Sequence, residues 1–153
     1  MIIISACLAG INCTYRGDSN YSPEIASLVE KGKALPVCPE QLGGLTTPRE
    51  PVEIINGTGG SVLDGQSRIQ SARGTDVTDA FVHGAYETLS IAQLCGAHCA
   101  ILKARSPSCG KGLIHDGTFT GKLIEGNGVT AELLIRNGID VLTEDEFIAR
   151  GGF

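Results

Sequence analysis

Three short apolar runs in this chain each lead to a cysteine on a polar loop. Ile2-Ile3-Ile4-Ser5-Ala6 is followed by Cys7, and Ala34-Leu35-Pro36-Val37 by Cys38. Cys99-Ala100-Ile101-Leu102-Lys103 is followed by the loop Ser106-Pro107-Ser108-Cys109-Gly110. Runs of this length, without polar alternation, suit strands covered on both faces, which points to a parallel sheet between helices.

The segments between the runs supply those helices. Ser22-Pro23-Glu24 is a helix start, with Ser as N-cap, Pro at the first position and an acid in the first turn. Ile25, Leu28 and Val29 form its apolar face, and Gly32 ends it. Asp76 to Gly96 carries the strongest helical pattern, a stripe of Val77, Phe81, Ala85, Leu89 and Ala92 with Thr75 or Asp76 as cap. Val129 to Arg136 reads as a short helix ended by Gly138, and Ile139 to Leu142 as a final strand. Thr143-x-x-Glu146 then has the form of a capping box for a terminal helix.

Other segments read less regularly. Cys38 to Pro51 is a loop rich in Pro and Gly. Val52 to Ile55 and Ser61 to Leu63 read as short strands around Asn56-Gly57-Thr58-Gly59-Gly60, and Leu113 to His115 pairs with Thr118 to Ile124 around Asp116-Gly117. Gln66 to Gly74 carries no single pattern. The order of elements predicts one α/β domain over residues 1–153, with a mostly parallel sheet and flanking helices.

Composition narrows the partners. A net charge of −5 and a pI near 5.1 argue against a grip on a nucleic acid polymer, while leaving a single nucleobase or nucleotide open as ligand. No apolar run approaches the roughly 20 residues of a membrane span, so no membrane partner is expected. The first residues enter a strand directly, without a basic segment or cleavage site, and a cytoplasmic protein is expected. In that setting six cysteines stand as reduced thiols, available for metal, catalysis or burial.

In an open parallel sheet, ligands bind where the carboxyl ends of the strands meet a topological switch point. Cys7, Cys38 and Cys109 fall at that edge. Thiolates suit iron–sulfur clusters or zinc, and three of them would hold a [4Fe-4S] cubane with one iron open to substrate. Spacing alone serves a three-cysteine zinc site, or thiols packed in a core, equally well. Cys13 lies in the first loop and is the one candidate for a fourth ligand, which would close the site. Cys95 and Cys99 read as buried thiols. Glu40 and Ser106 are placed to relay a proton and to orient water or substrate. Lys103, Arg105 and Arg49 suit a substrate oxygen or phosphate, or a solvated surface. Gly126-Asn127-Gly128-Val129-Thr130-Ala131, followed by Glu144, mimics a dinucleotide-binding turn, although little chain follows to complete such a unit. His83, His98 and His115 have no metal-ligand spacing.

Four stretches carry a resemblance. Ser5-Ala6-Cys7-Leu8-Ala9-Gly10, Cys38-Pro39-Glu40-Gln41-Leu42-Gly43-Gly44 running on to Arg49-Glu50-Pro51, Lys103 to Gly110, and Gly126 to Ala131 resemble the thiouracil desulfidase family. The match runs from about residue 3 to residue 147. The resemblance implies a Rossmann-like α/β domain in which Cys7, Cys38 and Cys109 hold a [4Fe-4S] cluster. It implies removal of sulfur from a small thiolated nucleobase or nucleoside, thiouracil giving uracil and sulfide without net redox change. It further implies Glu40 as proton relay and Ser106 as the hydroxyl that orients water or base. Cys13 lies outside the ligand set so implied.

Overall fold

Ile3 and Ile4 are both fully buried, although neighbouring side chains of a strand point to opposite faces. Such a strand must be covered on both sides. In the computed structural model, which describes residues 1–153, Ile3 packs in a cluster with Phe81, Leu102, Leu134 and Val141. Ile4 packs in a second cluster with Ile25, Ala34, Ile101 and Phe147. The sheet between the two clusters consists of β1 (Ile2–Ser5), β2 (Ala34–Val37), β5 (Cys99–Leu102) and β8 (Asp140–Thr143). Its order is β2-β1-β5-β8 and every pair is parallel. The α/β architecture with a parallel sheet and flanking helices is therefore as expected.

From β1 the chain moves outward to β2, and from β5 it moves outward the other way to β8. The order thus reverses between β1 and β5, where the loops after the two strands diverge and leave a crevice. The helices that cover the sheet are α1 (Pro23–Glu30), α4 (Thr78–Leu94), α5 (Val129–Arg136) and α6 (Glu144–Ala149). Pro23 opens α1, and the predicted capping box of α6 is complete. The Glu146 amide donates to Thr143 Oγ1, and the Thr143 amide donates to Glu146 Oε2. Thr78 is the first residue of α4, and its amide donates to Asp76 Oδ1, so Asp76 caps that turn.

Four local readings need correction. Ser61 to Leu63 is not a strand but lies in the helix α3 (Gly59–Leu63), where Thr58 and Ser61 form their own capping box. The true partner of β3 (Val52–Ile55) is β4 (Arg68–Ser71), antiparallel, in the stretch that has no clear pattern. β4 is hard to read because only Ile69 in it is a large apolar residue. The hairpin of β6 (Leu113–His115) and β7 (Leu123–Glu125) turns through residues 116–122 rather than at Asp116-Gly117 alone. Glu53 reaches across to this loop and accepts from the Gly117 and Phe119 amides, a tertiary contact that sets the wider turn. Finally, the loops after β1 and β2 begin as helical turns, Ala6–Ala9 as a 3-10 turn and α2 (Pro39–Leu42) as a single α-turn.

Candidate metal centre

Each of the three strand-end cysteines is fixed by a different local device. Cys7 sits in the 3-10 turn directly after β1 and is buried. Cys38 is the N-cap residue of α2, so its extended backbone hands the chain from strand to helix. Gly43 and Gly84 hold α2 in place. A Cβ at Gly84 would overlap the Pro39 carbonyl, and one at Gly43 would overlap the Ala80 carbonyl, so α2 lies directly on the backbone of α4.

Cys109 lies in the turn after β5 that Ser106 organises. The amides of Ser108 and Cys109 both donate to Ser106 Oγ, at 3.1 and 3.0 Å. Ser108 points the other way, fully buried, with its hydroxyl 2.9 Å from Thr130 Oγ1 in α5. The amides around the start of α5 are taken up by this loop. Gly128 donates to the Gly110 carbonyl, Val129 to that of Pro107, and Thr130 to that of Ser108. The Gly-rich turn resembling a dinucleotide fingerprint is therefore a clasp on the cysteine loop, since its amides are spent on protein carbonyls. Gly128 is required there: a Cβ would come within 2.6 Å of the Ser108 carbonyl carbon and oxygen. Glu144, which would hold a ribose in such a fingerprint, instead accepts from Lys103 Nζ at 2.5 Å and from the Ala104 amide at 2.6 Å.

The three thiols meet at one cavity of about 530 Å³ that Cys13, Glu40, Arg49, Lys103, Ser106 and His115 also line. It lies at the crevice between β1 and β5. All six cysteines are unpaired, and Cys95 and Cys99 stand apart from the cavity; Cys99 is buried as expected, whereas Cys95, at the end of α4, is only half-buried. No three His, Cys, Asp or Glu side chains converge on a single-ion position.

The electrostatics mark the three thiols as neighbours. Burial pushes the Cys109 thiol well above its ordinary value; a hydrogen bond with Ser5 works against this, and the charges of Cys7 and Cys38 add to it. Burial likewise raises Cys7, opposed by a hydrogen bond from the Asn20 side chain. Cys38 goes the other way, lowered to about 6 by the Cys13 thiol first and then by the Gln41 amide and Arg49, while its own Sγ lies 3.8 Å from the Cys13 carbonyl. Cys13 is raised correspondingly by its proximity to Cys38 and by burial. Two of the three thiols therefore resist ionising in a dry site, and a positive group placed among them would favour their thiolate form.

Glu40 stands two residues beyond Cys38. Arg49 Nε donates to its Oε2 at 2.6 Å, and Arg49 Nη2 makes an ion pair with the same oxygen. Arg49 Nη2 also donates to the Cys13 carbonyl at 2.8 Å, and Nη1 to the Thr46 carbonyl at 3.1 Å. Burial pushes the Glu40 carboxyl up, and Arg49 opposes that shift without cancelling it. Arg49 is thus the partner of Glu40 rather than a free cation for substrate, and Lys103 is spoken for by Glu144.

All five predicted site residues line this cavity. Four contributions escape a sequence reading. Ser5 accepts from the Lys103 amide at 2.9 Å and contacts Cys109, Asn20 bonds Cys7, Arg49 grips Glu40, and His115 joins the wall from a separate hairpin. Ser5 and Asn20 carry no local signal, because their partners are more than a dozen residues away or on another strand. Ser106, read as a hydroxyl that orients water or substrate, is also the turn former of its loop.

Comparison with known proteins identifies the family. Residues 2–146 match the family model described as 2-thiouracil desulfurase. The chain is 51% identical over 146 residues to the uncharacterised protein YbbK of Bacillus subtilis (strain 168), covering 95% of this chain and 97% of that one. Its structure is similar to that of a [4Fe-4S]-dependent thiouracil desulfidase, TudS, with a TM-score of 0.84 and 38% identity over 98% of this chain and 97% of the other. The chain belongs to the 2-thiouracil desulfurase family.

Proposed function

We propose that this protein is a [4Fe-4S]-dependent desulfidase that takes thiolated pyrimidines, thiouracil first among them, to the oxo base and sulfide. What carries the reading is the convergence of Cys7, Cys38 and Cys109 on one cavity at the switch point of a chain in this family. Three free thiols on one cavity, in a chain 38% identical to a [4Fe-4S]-dependent thiouracil desulfidase, favour a cluster over zinc. Cys7, Cys38 and Cys109 would hold the cluster, and when bound it supplies Lewis acidity at an iron that no thiolate occupies.

The remaining steps fall to side chains of the chain. Overall, a thiocarbonyl and water become a carbonyl and hydrogen sulfide, with no electrons gained or lost. Glu40 Oε2 is held by Arg49, whereas Oε1 has no partner and is not buried, so it is the oxygen that receives a proton from the attacking water. The same oxygen returns that proton to the departing sulfur. Burial favours the neutral carboxyl and Arg49 the charged one, so neither protonation state is remote. Ser106 Oγ accepts two amides and keeps its own proton to donate, which orients the water or the base above Cys109. The cavity walls fix the approach of the reacting groups.

A small heterocycle is the partner that the cavity fits, and the six free thiols accord with a reducing cytoplasm. A second reading, a closed four-thiol site without turnover, draws on the contact between Cys13 and Cys38. The deciding experiment is anaerobic purification with iron and sulfide counts, then turnover of 2- and 4-thiouracil with uracil and sulfide both quantified. Stoichiometric uracil and sulfide support the proposal. Protein that stays colourless and iron-free after anaerobic reconstitution would sink it.

A further inference from the structure

We propose that His115 is a base-recognition residue of this site, its Nδ1 hydrogen-bonding the amide edge of the thiolated pyrimidine. The inference rests on the desulfidase reading above. His115 closes β6 and lines the cavity. Its Nδ1 is the one buried side-chain nitrogen or oxygen in the molecule without a hydrogen-bond partner. A buried polar atom left unpaired is costly, and it signals a partner that arrives from outside the chain.

The placement is specific to the reacting centre. A parallel bridge joins Arg105 to Ile114, so the next residue on each side, Ser106 and His115, come alongside one another at the cavity wall. The hairpin carrying His115 is anchored: Ile114 is fully buried, and Glu53 Oε1 accepts from the Gly117 and Phe119 amides. The ring is therefore presented from a fixed element rather than a free loop. Nδ1 is covered as the ring stands, so meeting a ligand requires a half-turn about χ2, which exchanges Nδ1 with Cδ2 without changing the shape of the ring.

Two charged groups of the wall are paired, Glu40 through Oε2 with Arg49 and Lys103 with Glu144, while Arg105 also lines the cavity. Beside its thiocarbonyl, a thiolated pyrimidine presents ring N–H and C=O groups. A neutral imidazole meets either, accepting from N–H or donating to C=O according to its tautomer. A site that hydrogen-bonds this edge discriminates against thiocarbonyl compounds lacking it, because the nitrogen would stay unpaired.

The test compares wild-type holoprotein with His115→Leu, His115→Asn and His115→Gln, all reconstituted anaerobically and matched for iron content. Steady-state kinetics with thiouracil and calorimetric titration with uracil are both read. His115→Leu is expected to raise KM and the uracil Kd by about tenfold, with kcat changed by less than about threefold, the loss of one hydrogen bond. His115→Asn places an amide near the Nδ1 position and is expected to recover most of that loss, while His115→Gln, which reaches the Nε2 position, does not. Unchanged KM and Kd in His115→Leu, or equal losses in the Leu and Asn variants, overturn the proposal. If wild type is active and His115→Leu matches it, only this inference falls. If wild type carries its cluster yet neither binds uracil nor desulfurates thiouracil, the desulfidase reading falls and this one with it.

Discussion

Arg49 holds Glu40 through a single carboxylate oxygen and leaves the other open to the cavity. The guanidinium donates to Oε2 from two nitrogens, and its remaining bonds go to the carbonyls of Cys13 and Thr46 and to the hydroxyl of Thr47. One arginine thus ties the acid beside Cys38 to the first cysteine loop. A carboxylate with one tethered and one free oxygen has a fixed direction in which to exchange a proton.

Glu40→Gln keeps the size of that side chain and removes its proton exchange. It is expected to lower kcat for thiouracil by about 10²–10⁴-fold, the usual worth of a positioned general acid–base group. Iron and sulfide content should stay within error of wild type. Single-turnover assays on protein of measured iron content check both. A Glu40→Gln enzyme with wild-type kcat would remove Glu40 from the chemistry.

Serine in place of Cys7, Cys38 or Cys109 is expected to abolish retention of iron and sulfide after anaerobic reconstitution and desalting. Cys13→Ser is expected to retain both, with activity reduced less than about tenfold, because the Cys13 carbonyl that faces Cys38 Sγ and Arg49 is kept. Loss of the cluster in Cys13→Ser would favour the closed four-thiol site instead. The comparison thus separates the two readings in one series.

Gly84→Ala tests whether the α2–α4 contact sets the position of Cys38 and Glu40. The added methyl would overlap the Pro39 carbonyl, so α2 must move away from α4. Overpacking of this kind costs about 1–3 kcal/mol. The urea midpoint should fall accordingly, and iron retention should weaken although no ligand has changed. Gly128→Ala should act similarly from the other side of the site, by pushing α5 off the Cys109 loop.

Asp76 gives the fold an acid-sensitive joint. It accepts from the Thr78 amide at the start of α4 and pairs with Arg68 in β4, and these bonds hold its carboxyl well below the ordinary range. A folded-state pKa below the unfolded one means stabilisation that is complete above about pH 4 and is lost as pH falls through the folded value. Asp76→Ala should therefore cost about 1 kcal/mol at pH 7, as expected for loss of a cap. That difference from wild type should shrink steadily below pH 4. Thermal melts of both proteins at pH 7, 4 and 3 check the convergence. A gap that widens in acid would contradict the assignment.

Much of this frame is legible residue by residue. The uninterrupted run Ile2–Ser5 announces a doubly covered strand, and Thr143 with Glu146 announces a helix start, because strand burial and helix capping are local patterns. Gly32 and Gly138 take positive φ at the two helix ends where the sequence places stops. By contrast, Ser61 to Leu63 misleads because three residues cannot show a period. β4 escapes because its partner and its cover lie elsewhere in the chain.

The site divides along the same line. The sequence by itself determined that thiols would stand at the carboxyl ends of parallel strands, since strand type, helix spacing and right-handed crossover force those loops to one edge. It also supplied the acid beside Cys38 and the hydroxyl beside Cys109. Only the tertiary structure decided that Arg49 holds one oxygen of Glu40, that the Gly126–Gly128 turn clasps protein carbonyls and not phosphate, and that His115 enters the cavity wall. Each of those depends on a partner outside its own segment, and a hydrogen bond between separate segments leaves no periodic trace in either.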